Sequence, residues 1–101
     1  GAVIFKRHLA SANYIVTVND FYIGADTTNN TVLLSLPTAS TMADGQTFVI
    51  KDEGGNANNN NITISCSVGG DQIDGKNLII LESPFASIQL YCNGANKYFI
   101  C

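Results

Sequence analysis

Turn residues interrupt this chain roughly every 8–12 positions, and the runs between them alternate as strands do. Residues 14–18, 21–25, 31–36, 47–52, 61–65, 77–81, 86–92 and 97–101 are such runs. They are rich in Val, Ile, Thr, Tyr and Phe, which suit a pleated, half-buried surface. No segment shows helical periodicity; residues 38–44 come nearest, and they are too short and too polar. The stretch from Asp44 to Ile64 shows the pattern most fully. Asp44-Gly45 is a turn dipeptide, 47–51 favours an extended chain, 53–60 reads as a solvated polar loop that buries nothing, and Ile62 and Ile64 share one face of the next strand. The last two runs flank Asn93-Gly-Ala-Asn96 and predict a hairpin. These features predict an all-β fold, an antiparallel β-sandwich of jelly-roll-like order.

With 101 residues the chain is one domain, and it can bury a core without staples. Only 13% of residues are charged, against about 25% in ordinary domains, and Asn, Thr and Ser take their place. Such a surface is polar but weakly charged, as in many extracellular and virion proteins. The net charge is −3 and the basic residues gather nowhere beyond Lys6-Arg7, which argues against a nucleic-acid partner. No apolar run is long enough to span a membrane. The chain opens Gly1-Ala2-Val3 without Met and reads as a fragment of a longer protein. Residues 1–13 read as a connection to a shaft or linker, and 14–101 as the β-structured domain.

The runs carry more apolar side chains than one buried face requires. Leu33 opposes Val32, Leu34 and Leu36; Val49 opposes Phe48 and Ile50; the run 78–81 is apolar on both faces; and Phe99 opposes Tyr98 and Ile100. A second apolar face must be covered or it becomes a sticky patch. Either some strands sit centrally under the chain's own loops or identical chains cover the second face; the second reading is favoured, with Leu33, Val49, Ile79, Tyr91 and Phe99 as interface residues.

Catalytic and metal chemistry find little support in the sequence. The single histidine, His8, sits beside Lys6 and Arg7 and reads as a solvated linker residue, which leaves no base for a Ser or Cys nucleophile. Asp52 and Glu53 are adjacent on a strand and so point to opposite faces, unlike a glycosidase pair. Gly69-Gly-Asp-Gln-Ile-Asp-Gly75 looks like a calcium loop but lacks the repeat and the oxygen ligands; it reads as two turns around a core Ile73. Cys66, Cys92 and Cys101 form no disulfide framework and no metal spacing. No cofactor is expected. The amide tract from Asn56 to Asn61 suits sugar hydroxyls, because amides bind them without desolvating a charge. The Asn29 and Asn61 sequons read as incidental.

Several segments also resemble a known family. They are Tyr22-Ile-Gly-Ala-Asp26, Val32 to Pro37, Asp44-Gly-Gln-Thr-Phe-Val-Ile-Lys-Asp-Glu-Gly-Gly-Asn56, Asn61-Ile-Thr-Ile64, Ile73-Asp-Gly75, Leu90-Tyr91, Asn93-Gly94 and Tyr98. In that order they resemble a domain at the C-terminal ends of phage tail fibres and related fibre proteins. The resemblance spans roughly residues 14–100, and the Asp44–Asn56 block is its most specific part. Asn93, where the family often has Asp, and Lys97, where a Trp is expected, depart from the pattern. The resemblance implies a homotrimeric β-structured tip that caps a fibre, on a virion or a cell surface, and contacts a cell-surface receptor, often a glycan; with the lack of a catalytic set, the expected function is non-catalytic attachment. Such tips vary in their exposed loops, so the ligand does not carry over; the ligand loops expected from this chain's own polar segments are 26–30, 53–60, 69–77 and 93–96, with Thr28, Asn29, Asn30, Asn56, Asn58, Asn59, Asn60, Asp71, Asn93 and Asn96. The alternatives are a purely structural trimerisation module and, further off, a polysaccharide depolymerase.

Overall fold

Alternation along each run sorts side chains between a shared interior and two outer faces. The computed structural model describes residues 1–101. It contains ten strands: β1 (Arg7–Ala10), β2 (Tyr14–Ile15), β3 (Tyr22–Ala25), β4 (Val32–Leu36), β5 (Thr47–Asp52), β6 (Ile62–Cys66), β7 (Gln72–Ile73), β8 (Leu78–Leu81), β9 (Ser87–Cys92) and β10 (Lys97–Ile100). One 3-10 turn, Ala39–Thr41, lies between β4 and β5, and there is no α-helix. Of the strands not expected from the sequence, β1 lies within the segment read as a connection, and β7 is only two residues long.

The strands form two mixed sheets. Sheet A has the order β1-β3-β5-β9-β10-β7, and sheet B the order β2-β4-β6-β8. From β1 to β6 the chain alternates between the sheets, so β1, β3 and β5 pair in parallel, as do β2, β4 and β6. A parallel pair needs a return path for the chain, commonly a helix; here a strand of the opposite sheet serves. The later strands close the structure antiparallel, β8 on β6, β9 on β5 and β10 on β9, while β7 pairs in parallel with β10. The expected antiparallel, jelly-roll-like order is therefore corrected to mixed sheets. A turn of a few polar residues can close a hairpin or carry the chain across to the other sheet, and turn spacing does not distinguish the two.

One cluster of 19 buried side chains joins the sheets. Ile23, Phe48, Ile50, Leu90 and Tyr98 come from sheet A, and Val32, Leu34, Leu36, Ile62, Ile64 and Leu81 from sheet B. Ile73 is fully buried, as the core plug read from the sequence. Truncating Phe48 to Ala would cost about 3–5 kcal/mol. Burial pushes the Tyr98 phenol well above its ordinary range, and its hydroxyl donates to the Pro37 carbonyl at 2.6 Å. No helix is long and apolar enough to cross a membrane.

The winding also sorts the loops between two ends. Loops 26–31 and 53–61 leave sheet A at one end, where 82–86 also enters β9. Loops 16–21 and 37–46 and the 93–96 turn lie at the other. A strand of six residues separates the ends by about 20 Å.

Candidate functional site

The expected ligand residues divide between these ends. Thr28, Asn29, Asn30, Asn56, Asn58, Asn59 and Asn60 lie at the first, where Asn60 Nδ2 donates to the Thr27 carbonyl at 2.7 Å and Asn30 Nδ2 to the Ser11 carbonyl at 3.3 Å. Asp71, Asn93 and Asn96 lie at the second and are engaged in holding turns. Asp71 is buried and accepts the Ala39 N–H at 2.8 Å. Asn93 Oδ1 accepts the N–H groups of Ala95, Asn96 and Lys97, and Asn93 Nδ2 donates to Asn96 Oδ1. The four expected loops do not form one surface.

The first end is organised by Asp52. Its carboxylate is fully buried and accepts four hydrogen bonds: from Thr27 Oγ1 at 2.6 Å, Phe85 N at 3.0 Å, Gly55 N at 3.1 Å and Ala57 N at 3.1 Å. Burial pushes its pKa upward, but the hydrogen bonds outweigh burial and hold the group below its ordinary value. The 53–60 loop is consequently pinned. Ala57 is fully buried, the Asn56 N–H donates to Thr27 Oγ1, and Asn59 and Asn60 donate backbone N–H groups to the Asn56 carbonyl. The expected loop that buries nothing is corrected accordingly: of its asparagines only Asn58 and Asn59 are exposed, at its tip. Beside it, Asp26 accepts the Thr28 hydroxyl and N–H, which lower its pKa.

Phe85 completes this end. It is 58% exposed yet adopts a φ of 59°, unusual for a side chain of its bulk. Asp52 holds its N–H, Lys51 Nζ donates to its carbonyl, and its ring lies against Gly55, at a φ of 76°. A Cβ at Gly55 would come within 2.4 Å of the ring. The ammonium of Lys51 also lies 5.8 Å from the ring centroid, within cation–π range.

Next to Phe85, the outer face of sheet A opens into a groove of about 320 Å³. Arg7, Tyr22, Ile23, Gly24, Val49, Lys51, Glu53 and Ser87 line it. Register places Arg7, Tyr22 and Val49 in one row across β1, β3 and β5, and Gly24 beside Lys51 in the row above. Gly24 makes room for the Glu53 side chain: a Cβ there would come within 1.9 Å of Glu53 Oε2. Arg7 grips that carboxylate with two donors, Nε at 2.9 Å from Oε2 and Nη2 on Oε1. This guanidinium holds the Glu53 pKa below its ordinary value. The groove thus combines a part-exposed tyrosine ring, an aliphatic wall, a hydroxyl and fixed charges of both signs. That set can stack on a sugar ring and hydrogen-bond its hydroxyls.

The expected interface residues also separate. Val49, Tyr91 and Phe99 share the outer face of sheet A, with the Tyr91 and Phe99 rings 5.3 Å apart. Leu33 is on the outer face of sheet B. Ile79 pairs with the inward Ile64 and packs against the core, so its assignment to an outer interface is corrected; Leu78 and Ile80 are the exposed residues of β8. A slip of one residue exchanges faces in a strand apolar on both sides.

Sequence reading missed Arg7, Tyr22, Gly24, Lys51, Glu53 and Ser87 as a group. Arg7 and Glu53 are 46 positions apart, so their pairing leaves no local signal. The glycine inside the Tyr22–Ala25 strand was the available hint, since a strand glycine often marks a close approach. Elsewhere, no three His, Cys, Asp or Glu side chains gather as a metal site requires. The three cysteines are free, and burial pushes the Cys66 thiol up to about 11. No protein-family model matches the chain, and no curated protein matches it.

Proposed function

We propose that this chain is a non-catalytic binding tip of a virion or cell-surface fibre, a homotrimer that attaches to a cell surface through glycan. The observation that carries the reading is the groove on sheet A, where Tyr22 and Val49 adjoin the Arg7–Glu53 pair, Lys51 and Ser87. The exposed Asn58, Asn59 and Phe85 stand at the same end of the sheet and extend the contact surface. The carboxylates favour binding over hydrolysis. A glycosidase acid needs a raised pKa, whereas Asp52 and Glu53 are both held low. A pinned scaffold also limits the ordering cost of binding. Three such grooves on one tip would convert weak single-site affinity into an avidity about 10²–10⁴-fold higher.

A glycan array probed with the wild-type chain and with Tyr22→Ala and Gly24→Val variants tests this reading. Binding to surface polysaccharide that both substitutions weaken at least tenfold, with the fold intact by circular dichroism, is the expected result. A trimer that binds no glycan would favour the purely structural trimerisation module instead. Release of reducing ends from a bound polysaccharide would turn the assignment to a depolymerase.

A further inference from the structure

The sheet A groove runs against the charge of the molecule. Two of the chain's five Lys and Arg residues line it, against one of its eight Asp and Glu. It therefore holds a surplus of one positive charge in a chain whose net charge is −3. Arg7 and Glu53 cancel each other, and theirs is the only ion pair in the chain. Lys51 is left without a carboxylate partner. It is exposed, its Nζ donates to the neutral Phe85 carbonyl, and the ammonium lies over the Phe85 ring. Of the other carboxylates at this end, Asp26 accepts the Thr28 hydroxyl and N–H, and Asp52 is buried on the inward side of β5.

We infer that the saccharides this groove selects carry a negative charge, as a carboxylate or a sulfate, and that Lys51 is the residue that selects them. The inference rests on the glycan reading of the groove and narrows it. Register sets the geometry. Tyr22 and Val49 are neighbours in one outward row, and Gly24, Lys51 and Ser87 form the next. The two rows lie about 6.6 Å apart along the strands. A pyranose ring resting on Tyr22 and Val49 presents an acidic substituent to Lys51 and Ser87, which stand directly opposite each other on β5 and β9. Both side chains are exposed, and both offer donors. The ammonium has donors to spare beyond the one held by the Phe85 carbonyl. A neutral sugar hydroxyl can take the same positions, but a hydrogen bond assisted by charge is roughly twice as strong. Elsewhere the net negative charge of the chain repels an anionic ligand, so its attraction is confined to this groove.

A glycan array that sets acidic saccharides beside their neutral counterparts tests it, with uronic acids against their methyl esters and sulfated sugars against desulfated ones. The two arms separate carboxylate from sulfate. The wild-type chain should bind the charged member of a pair at least about tenfold more tightly, the worth of one charge-assisted hydrogen bond. The preference should shrink at 1 M NaCl, where the Debye length is about 3 Å. Lys51→Met should abolish the preference while keeping affinity for the neutral member, and Lys51→Arg should retain it. Lys97→Met removes the same charge from β10, beside the 93–96 turn at the other end, and should leave the preference unchanged. Circular dichroism establishes that each variant is folded. Equal binding of charged and neutral members by the wild-type chain overturns the inference and leaves the glycan reading standing. A preference that persists in folded Lys51→Met overturns the role of Lys51, and one lost equally in Lys97→Met assigns it to overall charge and likewise overturns it. Binding to no saccharide on the array removes the glycan reading, and this inference with it.

Discussion

The two outer faces of this molecule begin from the same alternation and finish as different surfaces. On sheet A a glycine at position 24 opens a space that the Glu53 side chain enters, and Arg7 fixes it there. On sheet B the corresponding outward positions carry Ser35, Ser65 and Thr63 between the aliphatic Ile15, Leu33, Leu78 and Ile80, with no charged residue among them. One missing side chain and one ion pair thus mark the grooved, charged face, and the other carries only aliphatic and hydroxyl groups. An excess of apolar residues outside the core therefore does not define a single role. Its meaning depends on what interrupts it.

The largest effect is expected at Asp52, whose buried carboxylate lies on the inward side of β5 and pins the loops beneath the groove end of the molecule. Asp52→Ala leaves the N–H groups of Gly55, Ala57 and Phe85 and the Thr27 hydroxyl without their acceptor. A loss of about 3 kcal/mol or more in chemical denaturation is expected. A loss below 1 kcal/mol would mean that the end is not built on this residue.

Substitution of paired outward positions gives the next largest effect. Gly24→Val drives the new side chain into the Glu53 carboxylate, and a cost of about 1–3 kcal/mol is expected from overpacking. Thr63→Val and Ser35→Val place the same Val side chain on the outer face of sheet B with at most one added heavy atom and no carboxylate in its way, and each should move folding stability by about 0.5 kcal/mol or less. Equal costs in urea titrations would erase the distinction between the faces.

Acid should act at the loop end that Asp52 organises. Asp52 and Glu53 both have folded-state values below their ordinary 3.8 and 4.5. Their contributions are therefore complete above the ordinary values and are lost as pH falls through the lowered ones. Urea midpoints should be level from pH 7 to about 5 and decline below about 4. That decline should be shallower in Asp52→Ala. The outward residues of sheet B, Ile15, Leu33, Ser35, Thr63, Ser65, Leu78 and Ile80, include no titratable group and add nothing to that decline.

The smallest effect is expected at the ion pair. Arg7 and Glu53 are part-exposed, and such pairs are weak and screened by salt. Glu53→Gln should lower Tm by less than about 5 °C, and by less again at 1 M NaCl. A larger shift that salt does not reduce would show that the carboxylate holds the groove by packing rather than by charge.

Much of the fold was legible without coordinates. Phe48, Ile50, Ile62 and Ile64 were placed in the core from alternation alone, and Ile73 from the turns around it; all five are fully buried. Alternation is a local property set by the pleat, and one strand is enough to show it. Less of the candidate site was legible. The amides of Asn58 and Asn59 were found because they lie together in the chain. The groove was not, because Arg7, Gly24, Glu53 and Ser87 meet only through parallel and antiparallel pairings across sheet A.

The sequence by itself determined that the chain is built of strands, which side of most strands faces inward, and where the turns fall. These follow from steric preferences and apolar spacing within a few residues. The tertiary structure decided that the first six strands wind between two sheets rather than pair as hairpins. It also decided that Asp71 and Asn93 hold turns while Asn58 and Asn59 stand free, and that Ile79 points inward beside exposed Ile80. The physical reason is that strand pairing joins segments with no covalent proximity. A turn of the same residues permits either route, and the choice falls to the combined burial of both sheets in one core.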